Sequence, residues 1–86
     1  MAYDHDICLM QEVLSEYCAD INGFIYRNYV YPGIEMPEQI SAYKKEVVEI
    51  KNSLFPQQSI EPLQNYKKRL EEIYNDTLRL TPEPHK

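Results

Sequence analysis

Proline placement constrains this chain more than any other feature. Pro32-Gly33, Pro37 and Phe55-Pro56 fall between three stretches whose apolar residues recur at steps of three and four, the spacing of one face of a helix. A fold with three helices and two short connections follows, because proline cannot continue a helix that has already begun. With 86 residues, two glycines and 43% hydrophobic residues, the chain has the composition of one small folded helical domain.

The first stripe is Ile7, Met10, Leu14, Tyr17, Ile21 and Phe24, widened by Val13, Cys18 and Ile25. At about 100° per residue these positions cover an arc of about 140°, broad enough to pack on two neighbours. Helix one is predicted over about 4–30, with Asp4 as N-cap, Asp6 complementing the helix dipole and Pro32-Gly33 as the stop. Ile40, Tyr43, Val47, Ile50 and Leu54 form a narrower seam of about 80° and predict helix two over about 37–54, with Pro37 in its first turn. Ser59 is the expected N-cap of helix three, with Glu61 and Pro62 in its first turn. Leu63, Tyr66, Leu70, Ile73 and Thr77, flanked by Ile60, Tyr74 and Leu78, carry that helix to about 79.

The expected architecture is all-α, an antiparallel three-helix bundle with a long N-terminal helix, one domain over 1–80 and a flexible tail over 81–86. Residues 43–52 and 66–75 echo one another, a similarity that shared helix grammar explains as well as duplication does. A helix of about 26 residues is ~39 Å long against ~27 Å for helix two. Helix one is therefore expected either to bend near Asn22-Gly23 or to project beyond its neighbours.

Charge narrows the functional classes. The net charge is −5, and the excess lies at the start of the chain, where Asp4, Asp6, Glu12, Glu16 and Asp20 face only Arg27. Basic residues cluster only at Lys44-Lys45 and Lys67-Lys68-Arg69, which disfavours a nucleic-acid-associated regulator. No apolar run approaches the ~18 residues needed to span a bilayer. The acidic start lacks the basic character of a signal peptide. A cytoplasmic location is the expectation, and two cysteines about 15 Å apart along one helix fit a reducing compartment.

Chemistry-bearing constellations are absent from the pattern. Isolated glycines cannot build a phosphate loop, and Asp4-His5-Asp6 reads as a capping segment because its side chains diverge. No cofactor and no metal are expected. Cys8 or Cys18 could act as a nucleophile only with a base nearby, and the only histidines, His5 and His85, lie near opposite ends of the chain. The chain is not expected to be an enzyme.

Two surface features remain. Glu12, Glu16 and Asp20 follow at intervals of four on the outward side of helix one, a spacing at which like charges slightly weaken the helix. They form either a solvated face or a docking ridge for a basic partner. Tyr26, Tyr29 and Tyr31 precede Pro32-Gly33, and a turn needs no aromatic triplet. They either pack over the bundle end or contact a partner, as tyrosine does at many interfaces. Val48 and Phe55 lie off the seam of helix two and add apolar surface. The expected function is a small acidic protein-binding module of adaptor, inhibitor, immunity or chaperone type, docking through Glu12, Glu16, Asp20, Tyr26, Tyr29 and Tyr31. The alternative is a structural subunit that self-associates or joins a larger assembly through helix one.

Overall fold

The computed structural model describes residues 5–82, which form three helices joined by two short connections. Helix α1 spans His5–Ile25 and continues into a π-helical turn over Tyr26–Val30; α2 spans Glu38–Leu54 and α3 spans Ile60–Leu80. At one end the Tyr29 hydroxyl and Thr81 Oγ1 share a hydrogen bond of 2.8 Å. At the other, the Gln11 side chain reaches the carbonyls that finish α2. Helices α1 and α3 therefore run in the same direction with α2 antiparallel to both, in a rod of 48 × 17 × 17 Å.

The three apolar stripes meet along the axis of this rod. Leu14, Cys18, Ile21 and Ile25 from α1, Ile40, Val47 and Leu54 from α2, and Leu63, Leu70 and Ile73 from α3 are all fully buried. Burying a large aliphatic side chain contributes about 1.5–3 kcal/mol, so these residues supply most of what holds the helices together. On the α1–α3 side, Tyr74 meets Tyr17 and Phe24 edge to face, with ring centroids 6.1 Å apart in each case.

Local sequence sets the helix ends. Pro37 is non-helical (ψ 148°) and stands at the N-cap position, its carbonyl accepting the first helical bond from Ser41 N–H at 3.0 Å. Helix α2 thus begins one residue after the expected start, and Pro37 precedes its first turn rather than lying in it. Ser59 occupies the N-cap position of α3 in an extended conformation, but its side chain makes no capping bond. Pro62 sits in the first turn, where its missing N–H costs least. Asp4, the expected cap of helix one, lies outside the described residues.

Three other expectations are corrected. The stripe of α1 is rotated: Val13, at one edge of the expected apolar arc, is 54% exposed, while Gln11 beyond the opposite edge is buried. The C-terminal end of helix one does not project beyond α3, because Tyr29 bonds to Thr81, the residue just past the end of α3. Its irregularity falls at Tyr26–Val30, whereas Asn22 and Gly23 lie within uninterrupted α1. Thr81, placed by the sequence in the flexible tail, is buried and bonded to both Tyr29 and the Thr77 carbonyl.

Candidate functional site

The acidic residues of α1 form a straight row on the outside of the bundle. Glu12, Glu16 and Asp20 are all exposed and make no ion pair among the described residues. Residues four apart are separated by ~6 Å along a helix, so the row is ~12 Å long. A second row lies beside it: Leu9, 45% exposed, then Val13 and the partly buried Tyr17. Val13, Glu16, Tyr17 and Asp20 line an open groove of about 270 Å³ between the two rows. Burial pushes the Tyr17 hydroxyl pKa upward, and the Glu71 carboxylate of α3 and the Tyr74 hydroxyl push it further in the same direction. The phenol is therefore neutral at physiological pH, and Glu71 extends the negative field of the ridge. At the foot of the row Arg27 folds back over Gly23, whose added Cβ would stand 3.1 Å from the guanidinium.

The tyrosine corner divides. Tyr29 is only 4% exposed and belongs to the core, with its hydroxyl satisfied by Thr81; it is removed from the expected contact surface. Tyr26 (53% exposed) and Tyr31 (79% exposed) face solvent, their ring centroids 6.4 Å apart. In an α-helix, residues five apart point about 140° away from each other and could not meet. The π turn brings them together: Tyr31 N–H donates to the Tyr26 carbonyl at 2.8 Å, a bond between residues five apart. Pro32 explains why the helix widens here. It has no N–H to offer the Asn28 carbonyl, and its ring would collide with that carbonyl in a regular turn. The Asn28 side chain in turn donates to the Phe24 carbonyl at 2.8 Å, supporting the helix where its bonding pattern changes.

The chain then stops at a glycine cap. Gly33 has φ +73°, its N–H donates to the Val30 carbonyl at 3.2 Å, and Ile34 N–H donates to the Tyr29 carbonyl at 2.9 Å. This is the Schellman pattern, and the positive φ is why glycine stands there. Val30 and Ile34, both exposed, complete an apolar end surface with Tyr26 and Tyr31.

Charges between α2 and α3 are arranged differently. Arg69 grips Glu46 with both Nε and Nη2, at 2.5 and 2.8 Å, and its guanidinium stands 5.8 Å from the Tyr43 ring centroid. Tyr43 donates its hydroxyl to Asp76, which also receives Arg79. The Arg69 hydrogen bonds hold the Glu46 carboxyl below its ordinary pKa, and those from Tyr43 and then Arg79 do the same for Asp76. Tyr43 is shifted upward, chiefly by its bond to Asp76. These groups satisfy one another.

Gln11 escaped sequence reasoning altogether. Its Nε2 donates to the carbonyls of Leu54 (3.1 Å), Phe55 (3.2 Å) and Gln57 (3.2 Å), closing the end of α2 from a different helix. The available signal was its helical angle, about 20° from that of Cys18 at the edge of the stripe. Cys18 is buried, and burial raises its thiol pKa, with Lys51 partly opposing; Cys8 is half-buried, and neither cysteine is in a disulfide. Among the described residues no group of three His, Cys, Asp or Glu side chains converges to hold a metal ion, and no helix is long and apolar enough to cross a membrane. No known protein family matches the chain, and no curated protein or solved structure resembles it at a significant level.

Proposed function

We propose that this chain is a small acidic protein-binding module, of adaptor, inhibitor, immunity or chaperone type, that docks on a macromolecular partner. The observation that carries this reading is the outer side of α1. A row of unpaired carboxylates, Glu12, Glu16 and Asp20, runs beside exposed Leu9 and Val13, while the polar groups at the α2–α3 contact satisfy one another. Carboxylates left unpaired beside apolar surface stabilise neither the helix nor the core, and both are what a basic partner would cover. Tyr26 and Tyr31, with Val30 and Ile34, supply a second contact at the bundle end.

The test is capture of partners from the native cells with the full chain as bait, compared with Glu12→Lys plus Glu16→Lys and, separately, Tyr31→Ala. A specific partner should be retained by the parent chain and lost with the ridge variant. Retention of every captured protein by both variants would overturn the reading. A second reading, a self-associating structural subunit, is favoured by the apolar end surface of Tyr26, Val30, Tyr31 and Ile34. Light scattering on dilution decides it: a dimer that dissociates on Tyr31→Ala supports self-association, and a monomer at micromolar concentration removes it.

A further inference from the structure

We infer that the partner presents a basic amphipathic helix, which seats in the groove on the outer side of α1. The inference rests on the docking function proposed above and names the chemistry of its occupant. Leu9, Val13 and Tyr17 form one ridge of residues four apart; Glu12, Glu16 and Asp20 form the next. Two such ridges enclose a groove into which the corresponding ridge of another helix fits, the commonest way helices pack in globular proteins. The groove between Val13 and Tyr17 on one side and Glu16 and Asp20 on the other is open and unfilled by the chain's own side chains. Within the bundle α1 already packs on α2 and α3, so this groove is where a fourth helix would sit.

Charge selects which helix. One wall is apolar and the other carries carboxylates about 6 Å apart, the rise between lysines or arginines placed four residues apart on a facing helix. A ridge of leucines against Val13 and Tyr17, flanked by such a basic row, satisfies both walls. A second copy of this chain that docks through the same side does not. Its own outer side would bring the same carboxylates against each other, with only Arg27 in opposition, in a chain of net charge −5. Nucleic acid is excluded from the groove by the sign of the charge.

The test uses the full chain, isotopically labelled, and three synthetic peptides of about five helical turns (~18 residues). One has leucines on a single face flanked by lysines, one is a scramble of the same composition with no apolar face, and one replaces every lysine with glutamate. The lysine amphipath should bind, shift the amide resonances of residues 9–20, and weaken as salt rises from about 0.05 to 0.5 M. Glu16→Lys and Val13→Asp should each lower its affinity about tenfold or more. Both sites are exposed, and a matching urea midpoint confirms that each variant is folded; Val13→Gln replaces Val13→Asp if that midpoint falls.

Equal binding of the scramble, resonance shifts confined to other surfaces, or indifference to both substitutions would each overturn the helix-in-groove inference. The docking function fails separately. If cellular partners are lost with the ridge variant while the peptide ignores the groove, the function stands and the helical occupant falls. If no captured partner responds to either surface, the function falls whatever the peptide does.

Discussion

The contacts between helices and the outer side of α1 use polar residues in opposite ways. Between helices, Gln11 closes the end of α2, Tyr29 meets Thr81, and Glu46 and Arg69 form a two-point pair. On the outer side, Glu12, Glu16 and Asp20 stand in a row and form no ion pair among the described residues. The first arrangement is what a fold requires when polar groups are taken from water. The second contributes nothing to the fold and slightly opposes the helix that carries it. The difference separates residues this chain needs in order to exist as a bundle from residues available for a partner.

Substitutions should reproduce that separation. The largest loss is expected from Gln11→Ala, which leaves the carbonyls of Leu54, Phe55 and Gln57 without their side-chain donor; chemical denaturation should show a cost of about 2 kcal/mol. Tyr29→Phe removes one buried hydroxyl bond and should cost about 1 kcal/mol by the same measurement, while Tyr31→Phe should leave the midpoint where it is. Arg69→Met should cost less, roughly 0.5 kcal/mol, because the Arg69 and Glu46 side chains are 42% and 33% exposed and water screens the pair. A loss from Glu16→Lys as large as that from Gln11→Ala would erase the distinction. The expected outcome is a gain of about 0.3 kcal/mol, the smallest measurable effect of the set, from relieved repulsion along the acidic row.

Acid should act on the contacts between helices. Glu46 and Asp76 have pKa values lowered in the folded state by their hydrogen-bonded partners, so the unfolded chain binds protons more readily than the fold does. Their contribution is fully present above the ordinary carboxylate pKa of about 4 and is lost as pH falls through the lower folded values. Urea midpoints measured at successive pH values below about 5 should therefore decline. Glu46→Gln should flatten that decline.

How much of this was legible in the sequence follows from what periodicity can carry. The three stripes located the helices to within a residue or two for α2 and α3, because proline and the three-four spacing act locally. The π turn was not legible: the tyrosines were read on a 3.6-residue helix, and nothing in that reading marks where bonding shifts to residues five apart. Tyr29 shares the helical angle of Gln11, just at the edge of the stripe, where angle alone does not decide between core and surface. Val13 and Gln11 exchanged roles because an apolar stripe defines a face but not its centre, which depends on where the neighbouring helices sit. The acidic row needed only its spacing. The groove beside it became visible only with the exposure of Leu9 and Val13.

The reach of Gln11 to the end of α2 also bears on the order in which the molecule assembles. Helices α2 and α3 are adjacent in the chain and can pair early, since closing a short connection costs little entropy. The Leu54 carbonyl in the last turn of α2, however, takes its side-chain donor from a residue more than forty positions upstream. Until α1 docks, that turn is an open end exchanging its carbonyl bonds with water. A fragment beginning at Ile34 should therefore show faster hydrogen exchange near Phe55–Gln57 than the whole chain. Helix α1 is in this sense the latch of the hairpin, and the side that carries the carboxylate row is the back of the latch, the side still facing solvent once the bundle has closed.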